Sequence, residues 1–362
     1  METIFILIIL ASAIATEYLL YAKKGGKNLT YTAKLEKSEV FEGDEILLTE
    51  ELANNKNLPL PYVKTEIVSP LFLDFGEESA QSKDGLCYIP SVFSLKKREK
   101  CRRVRSIKCT RRGMFEIGAA SLYGSDIFGL KEFTVPLENA REFLTVLPSP
   151  LSVHDFSPEN KQLFGDILIR RFICDDPFLI NGAHEYCGRE PMNSISWNAS
   201  AKAGKLMAVN KDHTTSAKVL ILLNFQRRDD IVASAEADIC ELMIKAAAFV
   251  MEEAEKIGAE FALSINVPGQ STAAGTGVEF RFEQLRRLAA LVPDCFFRTA
   301  DFLRNNQVYE YTDVILITPV ISHDTAEYLN KLKNGGLGVY SYAVNNEADY
   351  ERCSVITRKR RG

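Results

Sequence analysis

The sequence predicts a multidomain α and β protein: an apolar helix, then an antiparallel β-sandwich, then a doubly wound α/β domain. Three observations carry that expectation. Ile4 to Ala22 is apolar except for Glu17, short runs of period two recur between turn residues from Leu29 to about Pro136, and from Lys218 continuous apolar runs alternate with amphipathic segments. At 362 residues the chain is long enough for two domains with separate cores. The expected divisions are residues 1–24 (anchor), 28–136 (sandwich), 137–216 (connection), 217–345 (α/β domain) and 346–362 (basic tail).

The first element is the stretch from Ile4 to Ala22, followed by Lys23, Lys24 and Lys27. Its 19 residues rise enough to cross a hydrocarbon core of about 30 Å. A cleaved signal peptide is the alternative, with Ala11-Ser12-Ala13 as a cleavage-like site, but the n-region carries Glu2 and no basic residue. Because the neighbouring positive charge lies on the carboxyl side, the positive-inside rule predicts a single-pass cell-membrane protein whose body faces the cytoplasm. Glu17 is a cost at membrane depth, reduced by its nearness to the basic end.

After Gly25-Gly26 the alternation begins with LTYTAKLEKSEVF, the turn EGDE, and ILLTEELANN. The runs YVKTEIVS, LCYIPSVFSL, RRVRSIKC and FTVPL follow, with Gly, Asn or Pro between them. That spacing predicts a sandwich of immunoglobulin-like type, without the paired Cys and Trp of antibody domains. The basic run from Lys96 to Gly113 is expected to be a solvated strand face, with anionic lipid as the minority reading.

In the second domain, KVLILLNF reads as a central strand covered on both faces, and DIVASAEADICELMIKAAAFVMEEAEKIGAE as a long helix stopped at Gly258. FALSINV, DVILITPV and LGVYSYAV are further strands, with helices at FRFEQLRRLAALV and SHDTAEYLNKLKNGG between them. In such a sheet a functional site is expected at the carboxyl ends of the strands. No phosphate-cradling glycine loop follows the first strand, and no Gly-Lys-Ser or Gly-Lys-Thr occurs, so no nucleotide cofactor is expected. A formal charge of -4 argues against nucleic acid as a partner. Eight scattered cysteines without Cys-x-x-Cys fit a reducing compartment and no structural zinc.

Between the domains lies the stretch from His184 to Met207, which holds the single tryptophan. Together with the order of the elements, this stretch resembles the bacterial domain of unknown function 58 family. That family carries a motif close to Arg-Glu-Tyr-x-x-Gly-Asp-x-x-Arg-x-Ile-x-Trp-x-x-Ser-Ala-Arg. Glu185, Tyr186, Ile195, Trp197, Ser200 and Ala201 match it. His184, Arg189 in place of glycine, Glu190 for Asp, Asn193 for Arg and Lys202 for Arg depart from it.

The resemblance implies a von Willebrand factor A-like last domain and a non-enzymatic role beside MoxR-type AAA+ ATPases and their client proteins. Typical A domains hold a divalent ion in an Asp-x-Ser-x-Ser loop, with a further acid after a later strand. The matching positions here are Asn224, Gln226, Arg228 and Thr318, which leave a degenerate site and no expected metal. Asp229 and Asp230 could shift inward to hold a residual ion.

The motif itself reads two ways. It is a docking surface offering Tyr186, Trp197, Glu185, Arg189, Glu190 and Lys202, or it is an interdomain brace in which Glu185 pairs with Lys202 and Trp197 packs under the sandwich. The alternatives from other classes are an ion-dependent adhesion module and a thiol hydrolase using Cys187 with His184. His154, His213 and His323 read as surface, hinge or helix-start residues, and the tail ITRKRRG as a solvated basic end.

Overall fold

The computed structural model describes residues 2–76, 81–137, 140–151, 180–188, 192, 195–211, 217–228, 231–343 and 354–355. The chain divides into two compact units, Met1–Ser149 with Arg286–Leu291, and Pro150–Leu285 with Val292–Gly362.

The first unit opens with helix α1 (Glu2–Lys24), which is long and apolar enough to cross a membrane. Among the described residues eleven strands follow. They are β1 (Leu29–Leu35), β2 (Glu39–Phe41), β3 (Glu45–Asn54), β4 (Leu60–Pro70), β5 (Leu73–Asp74) and β6 (Gln81–Lys83), then β7 (Leu86–Leu95), β8 (Lys100–Cys109), β9 (Gly113–Ser125), β10 (Glu132–Pro136) and β11 (Arg141–Leu147). One sheet runs β1-β3-β8-β5, and the other β2-β11-β9-β4-β7-β6 with β10 against β9. All pairings are antiparallel except β2 with β11.

Strand β11 carries the second sheet past Pro136, where the sandwich was expected to stop. Its burial explains why: Leu144, Val146 and Leu147 lie in the core, so REFLTVL is a sheet strand rather than connection.

The alternation works as expected along β3, where Ile46, Leu48, Leu52 and Asn54 point inward and their neighbours outward. Their core is shared with Ile67, Ile89, Phe93, Ile107, Phe115 and Leu122. Burying each large apolar side chain stabilises by about 1.5–3 kcal/mol.

The same parity also buries Glu50, and strand β8 buries Arg105 diagonally across from it, Glu50 being paired in register with Arg103 and Arg105 with Leu48. The basic run is therefore not a solvated face alone. Lys100, Arg102 and Lys108 face out, but Arg105 Nε donates to Glu50 Oε2 at 3.1 Å inside the sandwich. Ser91 Oγ and Tyr31 Oη donate to the same carboxylate at 2.8 and 2.7 Å.

Helix α1 joins the sandwich through Gly25 and Gly26, where the chain passes close to β10. A Cβ on Gly25 would meet the Tyr21 carbonyl at 2.5 Å, and one on Gly26 would meet Val135 at 2.8 Å. Tyr21 is buried, with its hydroxyl donating to the Pro59 carbonyl at 2.7 Å.

The second unit starts with the hairpin β12 (Ile180–Glu185) and β13 (Met207–Lys211), with helix α2 (Trp197–Ala203) between them. Strand β14 (Lys218–Leu223), a small hairpin of β15 (Gln226–Arg228) and β16 (Ile231–Ser234), helix α3 (Ala237–Lys256) and strand β17 (Glu260–Ile265) come next. Helix α4 (Val278–Ala290), whose residues from Arg286 on are counted with the first unit, helix α5 (Thr299–Asn305), strand β18 (Asp313–Thr318), helix α6 (His323–Asn334), strand β19 (Gly338–Ala343) and strand β20 (Ser354–Val355) come after these.

The sheet order is β17-β14-β18-β19-β20, parallel throughout except for β20. Each parallel step needs a crossover, which the helices supply. One face of the sheet buries Leu220, Leu222, Ala262, Val314 and Leu316 against Phe302, Leu303, Leu329 and Leu332. The strands are continuously apolar because both faces are covered, and helix α3 contributes buried residues from Ile239 to Ala254.

Candidate functional site

Two places in the second unit gather the residues singled out in the sequence. The first is the Trp motif. Ser196 caps α2: its hydroxyl accepts from the Ala199 N–H at 3.3 Å, while Gly204 closes the helix in the left-handed region at φ 68°. The Ser200 hydroxyl ties the helix to the hairpin, donating to the Ser196 carbonyl at 2.7 Å and accepting from the Met207 N–H at 2.8 Å. Ile195 is buried and bridges to Ala208. The Tyr186 N–H donates to the Leu206 carbonyl at 2.9 Å.

Ile195 and Ser200 thus build the local fold, whereas Ala201 and Lys202 face solvent. Trp197, the first residue of α2, is 67% exposed. The brace reading had Glu185 paired with Lys202. Instead Glu185 pairs with Lys205, at 2.6 Å, because the turn at Gly204 returns the chain along β12. Arg189, Glu190 and Asn193 lie outside the described residues, as do His154 and His213. The Cys187 thiol is exposed and donates to the Glu185 carbonyl at 3.3 Å.

The second place is the carboxyl edge of the parallel sheet. In chain order the strands run second, first, third, fourth, so the topological switch lies between β14 and β18. Asn224 follows β14 and Thr318 ends β18, and Asn224 Nδ2 donates across that switch to Thr318 Oγ1 at 3.0 Å. The same amide donates to Thr299 Oγ1 at 2.8 Å. Asn266, one residue past β17, donates from Nδ2 to Asn224 Oδ1 at 2.6 Å and to the Phe297 carbonyl at 2.7 Å, and accepts from the Phe297 N–H at 3.0 Å.

Gln226 Oε1 accepts both the backbone N–H and the hydroxyl of Thr299, each at 2.6 Å, at the start of α5. Thr318 Oγ1 in turn donates to the Val320 carbonyl at 3.1 Å. All five side chains are buried. Neutral amides and hydroxyls therefore satisfy one another where a ligand crevice would open, and the amide donors of Asn224 and Asn266 and the hydroxyls of Thr299 and Thr318 each have an acceptor.

Of the four positions expected to mark a degenerate ion site, Asn224, Gln226 and Thr318 come together here. Arg228 lies in the β15–β16 hairpin, its backbone paired with Ile231. Asp229 and Asp230 lie outside the described residues. Among the described residues no group of three His, Cys, Asp or Glu is placed to hold a metal ion. Sequence reasoning missed Asn266 and Thr299. Asn266 had a signal, since it stands directly after the apolar run FALSI as Asn224 does after KVLILL. Beside the network, burial and then Asp294 push the Cys295 thiol up to about 11.

No protein-family model and no curated protein matches this chain. Among solved structures, it is similar to a CARDB domain from Pyrococcus furiosus in complex with di-metal ions, at 19% identity over 33% of this chain and 92% of that one, with a TM-score of 0.23. It is also similar to a cohesin module of a family 33 glycoside hydrolase from Clostridium perfringens, at 13% identity over 33% and 96%, with a TM-score of 0.24. A non-cellulosomal cohesin from Archaeoglobus fulgidus follows at 11% identity over 33% and 91%, again with a TM-score of 0.24. At these scores the likeness is confined to one third of the chain and bears on no ligand or partner.

Proposed function

We propose that this chain is a non-enzymatic, membrane-anchored adaptor or assembly factor of the domain of unknown function 58 type, working with a MoxR-type AAA+ ATPase on client proteins. In this reading α1 is the anchor, and the lysines at its carboxyl end keep the body on the cytoplasmic side. The second unit is a von Willebrand A-like domain with a degenerate metal site. Its strand order and the neutral network at the switch point support that assignment, because a hard divalent cation needs anionic oxygen donors that Asn224, Gln226 and Thr318 do not supply.

The observation that carries the adaptor reading is the exposure of Trp197 on a locally rigid frame. A large aromatic left in water on a capped and tied helix is preorganised for a partner, and Trp, with Tyr and Arg, is enriched at binding hot spots. The thiol of Cys187 donating to a backbone carbonyl supports the adaptor over the thiol hydrolase, whose nucleophile would need a base to take its proton.

The test is binding of the full-length protein, in lipid nanodiscs, to the MoxR-type ATPase of the same cell. Trp197→Ala removes no core packing, so the variant should melt like the native chain yet bind about 30-fold more weakly, the size of a hot-spot truncation. Equal affinity for both chains would remove the Trp motif from the interface. Binding by neither would remove the ATPase as the partner.

A further inference from the structure

The turn between β9 and β10, Asp126–Lys131, has features that neither the sandwich nor the Trp motif explains. Ile127, Phe128 and Leu130 are 57%, 58% and 59% exposed, an apolar tip on an otherwise alternating sheet. The turn is bonded to α1. Glu17 Oε1 accepts the Ile127 N–H at 2.9 Å, and Lys131 Nζ lies 5.9 Å from the centre of the Tyr18 ring. Glu17 is the one charged residue within the apolar stretch from Ile4 to Ala22. It shares a helix face with Tyr21, which is buried against the same unit.

Backbone chemistry points the same way. Asp126 N–H donates to the Lys131 carbonyl at 3.0 Å, Gly129 N–H to the Asp126 carbonyl at 3.3 Å, and Leu130 N–H to Asp126 Oδ1 at 2.7 Å. With Ile127 held by Glu17, four N–H groups of the turn, those of Asp126, Ile127, Gly129 and Leu130, have protein acceptors. That is what a turn needs where water is scarce, because unpaired backbone donors are costly in a lipid environment. The depth fits as well. Glu17 precedes Lys23 by six residues, about 9 Å along a helix rising 1.5 Å per residue. Interfacial apolar elements sit about 5–10 Å into the headgroup–acyl boundary.

We propose that the tip Ile127-Phe128-Gly129-Leu130 is a second membrane contact, inserted beside α1 into the leaflet that holds Lys23 and Lys24, with Glu17 as the latch that orients it. The occupant is lipid because the tip is joined directly to the apolar helix, whose residues Ile4 to Leu10 are themselves 55–66% exposed. Lys131 at the base of the turn sits with Tyr18, the pairing of cation and aromatic that favours the membrane–water boundary. The proposal rests on the reading that α1 crosses the membrane.

The experiment places a tryptophan reporter at the tip of the full-length chain. Phe128→Trp is combined with Trp197→Phe, and the protein is reconstituted in phosphatidylethanolamine–phosphatidylglycerol vesicles containing dibrominated lipid. Both changes are at exposed positions, so neither removes core packing. About twofold quenching with a blue-shifted emission is expected, strongest for bromines near the headgroup end of the acyl chain. Leu10→Trp in the same background reports on α1 itself.

Quenching at Leu10→Trp without quenching at Phe128→Trp would overturn the second contact and leave the anchor standing. Absence of quenching at both would overturn the anchor and the proposal together. Adding Glu17→Leu should leave the Leu10→Trp signal unchanged and lower the quenching at Phe128→Trp. Undiminished quenching there would overturn the latch.

Discussion

Glu50 sets out at the scale of one residue what the strand pattern shows and what it conceals. Its position in ILLTEELANN has the inward parity of Leu48 and Leu52, so its direction was legible, but the alternation of charges along β8 hid that Arg105 shares that parity. Only the pairing of β3 with β8 brings the two charges together. A buried carboxylate is tolerated because its oxygens are met by Arg105, Ser91 and Tyr31. Glu50→Ala leaves the guanidinium uncompensated and should lower stability by about 3–5 kcal/mol, measured as a shift in the urea midpoint. Tyr31→Phe, which removes one donor to that charge, should cost about 1.5–3 kcal/mol. A second residue-scale expectation concerns thiols. Burial and then Asp44 push Cys109 up to about 11, and burial with Asp294 does the same for Cys295, from an ordinary value of 9.0. The unfolded chain therefore gives up these protons first. Their contribution to stability is intact below pH 9.0 and falls as the pH rises toward about 11. Denaturation of the Cys109→Ala, Cys295→Ala chain should lose that part of the alkaline slope, and an unchanged slope would assign it to other groups.

Among the elements, the ends of β14, β17 and β18 are the informative ones. The apolar runs made the parallel strands legible, and the neutral side chains of Asn224, Gln226 and Thr318 at their ends are plain in the sequence. What the sequence hid is that these positions are occupied by one another. The contact of Asn224 with Thr299 joins residues 75 apart, and that with Asn266 joins residues 42 apart, distances over which local patterning carries no information. Because the hydroxyl protons of Thr299 and Thr318 already go to Gln226 and Val320, an Asn224→Asp side chain would place a carboxylate oxygen against oxygens with no proton left to share. The expected cost is about 2–4 kcal/mol. Burial raises the pKa of such an acid, so the variant should be closest to native stability below the ordinary carboxylate range and fall further behind as the pH rises. Urea midpoints at acidic and neutral pH test the sign. Recovery of the neutral-pH loss by millimolar Mg2+ would show instead that one acid is enough to make an ion site, and would favour the adhesion-module reading.

For the whole molecule, orientation relative to the membrane is the property on which the adaptor proposal turns. The apolar length of α1 and the flanking Lys23, Lys24 and Lys27 are legible without any structure, but they act through the insertion machinery and leave no mark on the fold. A chemical marker on the body is therefore needed, and the second unit supplies one. Cys187 is exposed beside the Trp motif, while Cys109, Cys240 and Cys295 are buried and slow to react. A membrane-impermeant maleimide applied to intact cells should leave Cys187 unlabelled if the body is cytoplasmic, and should label it after lysis. The Cys187→Ser chain fixes the background from the remaining thiols. Labelling of Cys187 in intact cells would put Trp197 on the outer side, out of reach of a cytoplasmic ATPase. It would thereby remove the proposed partner while leaving the exposed tryptophan still in need of one.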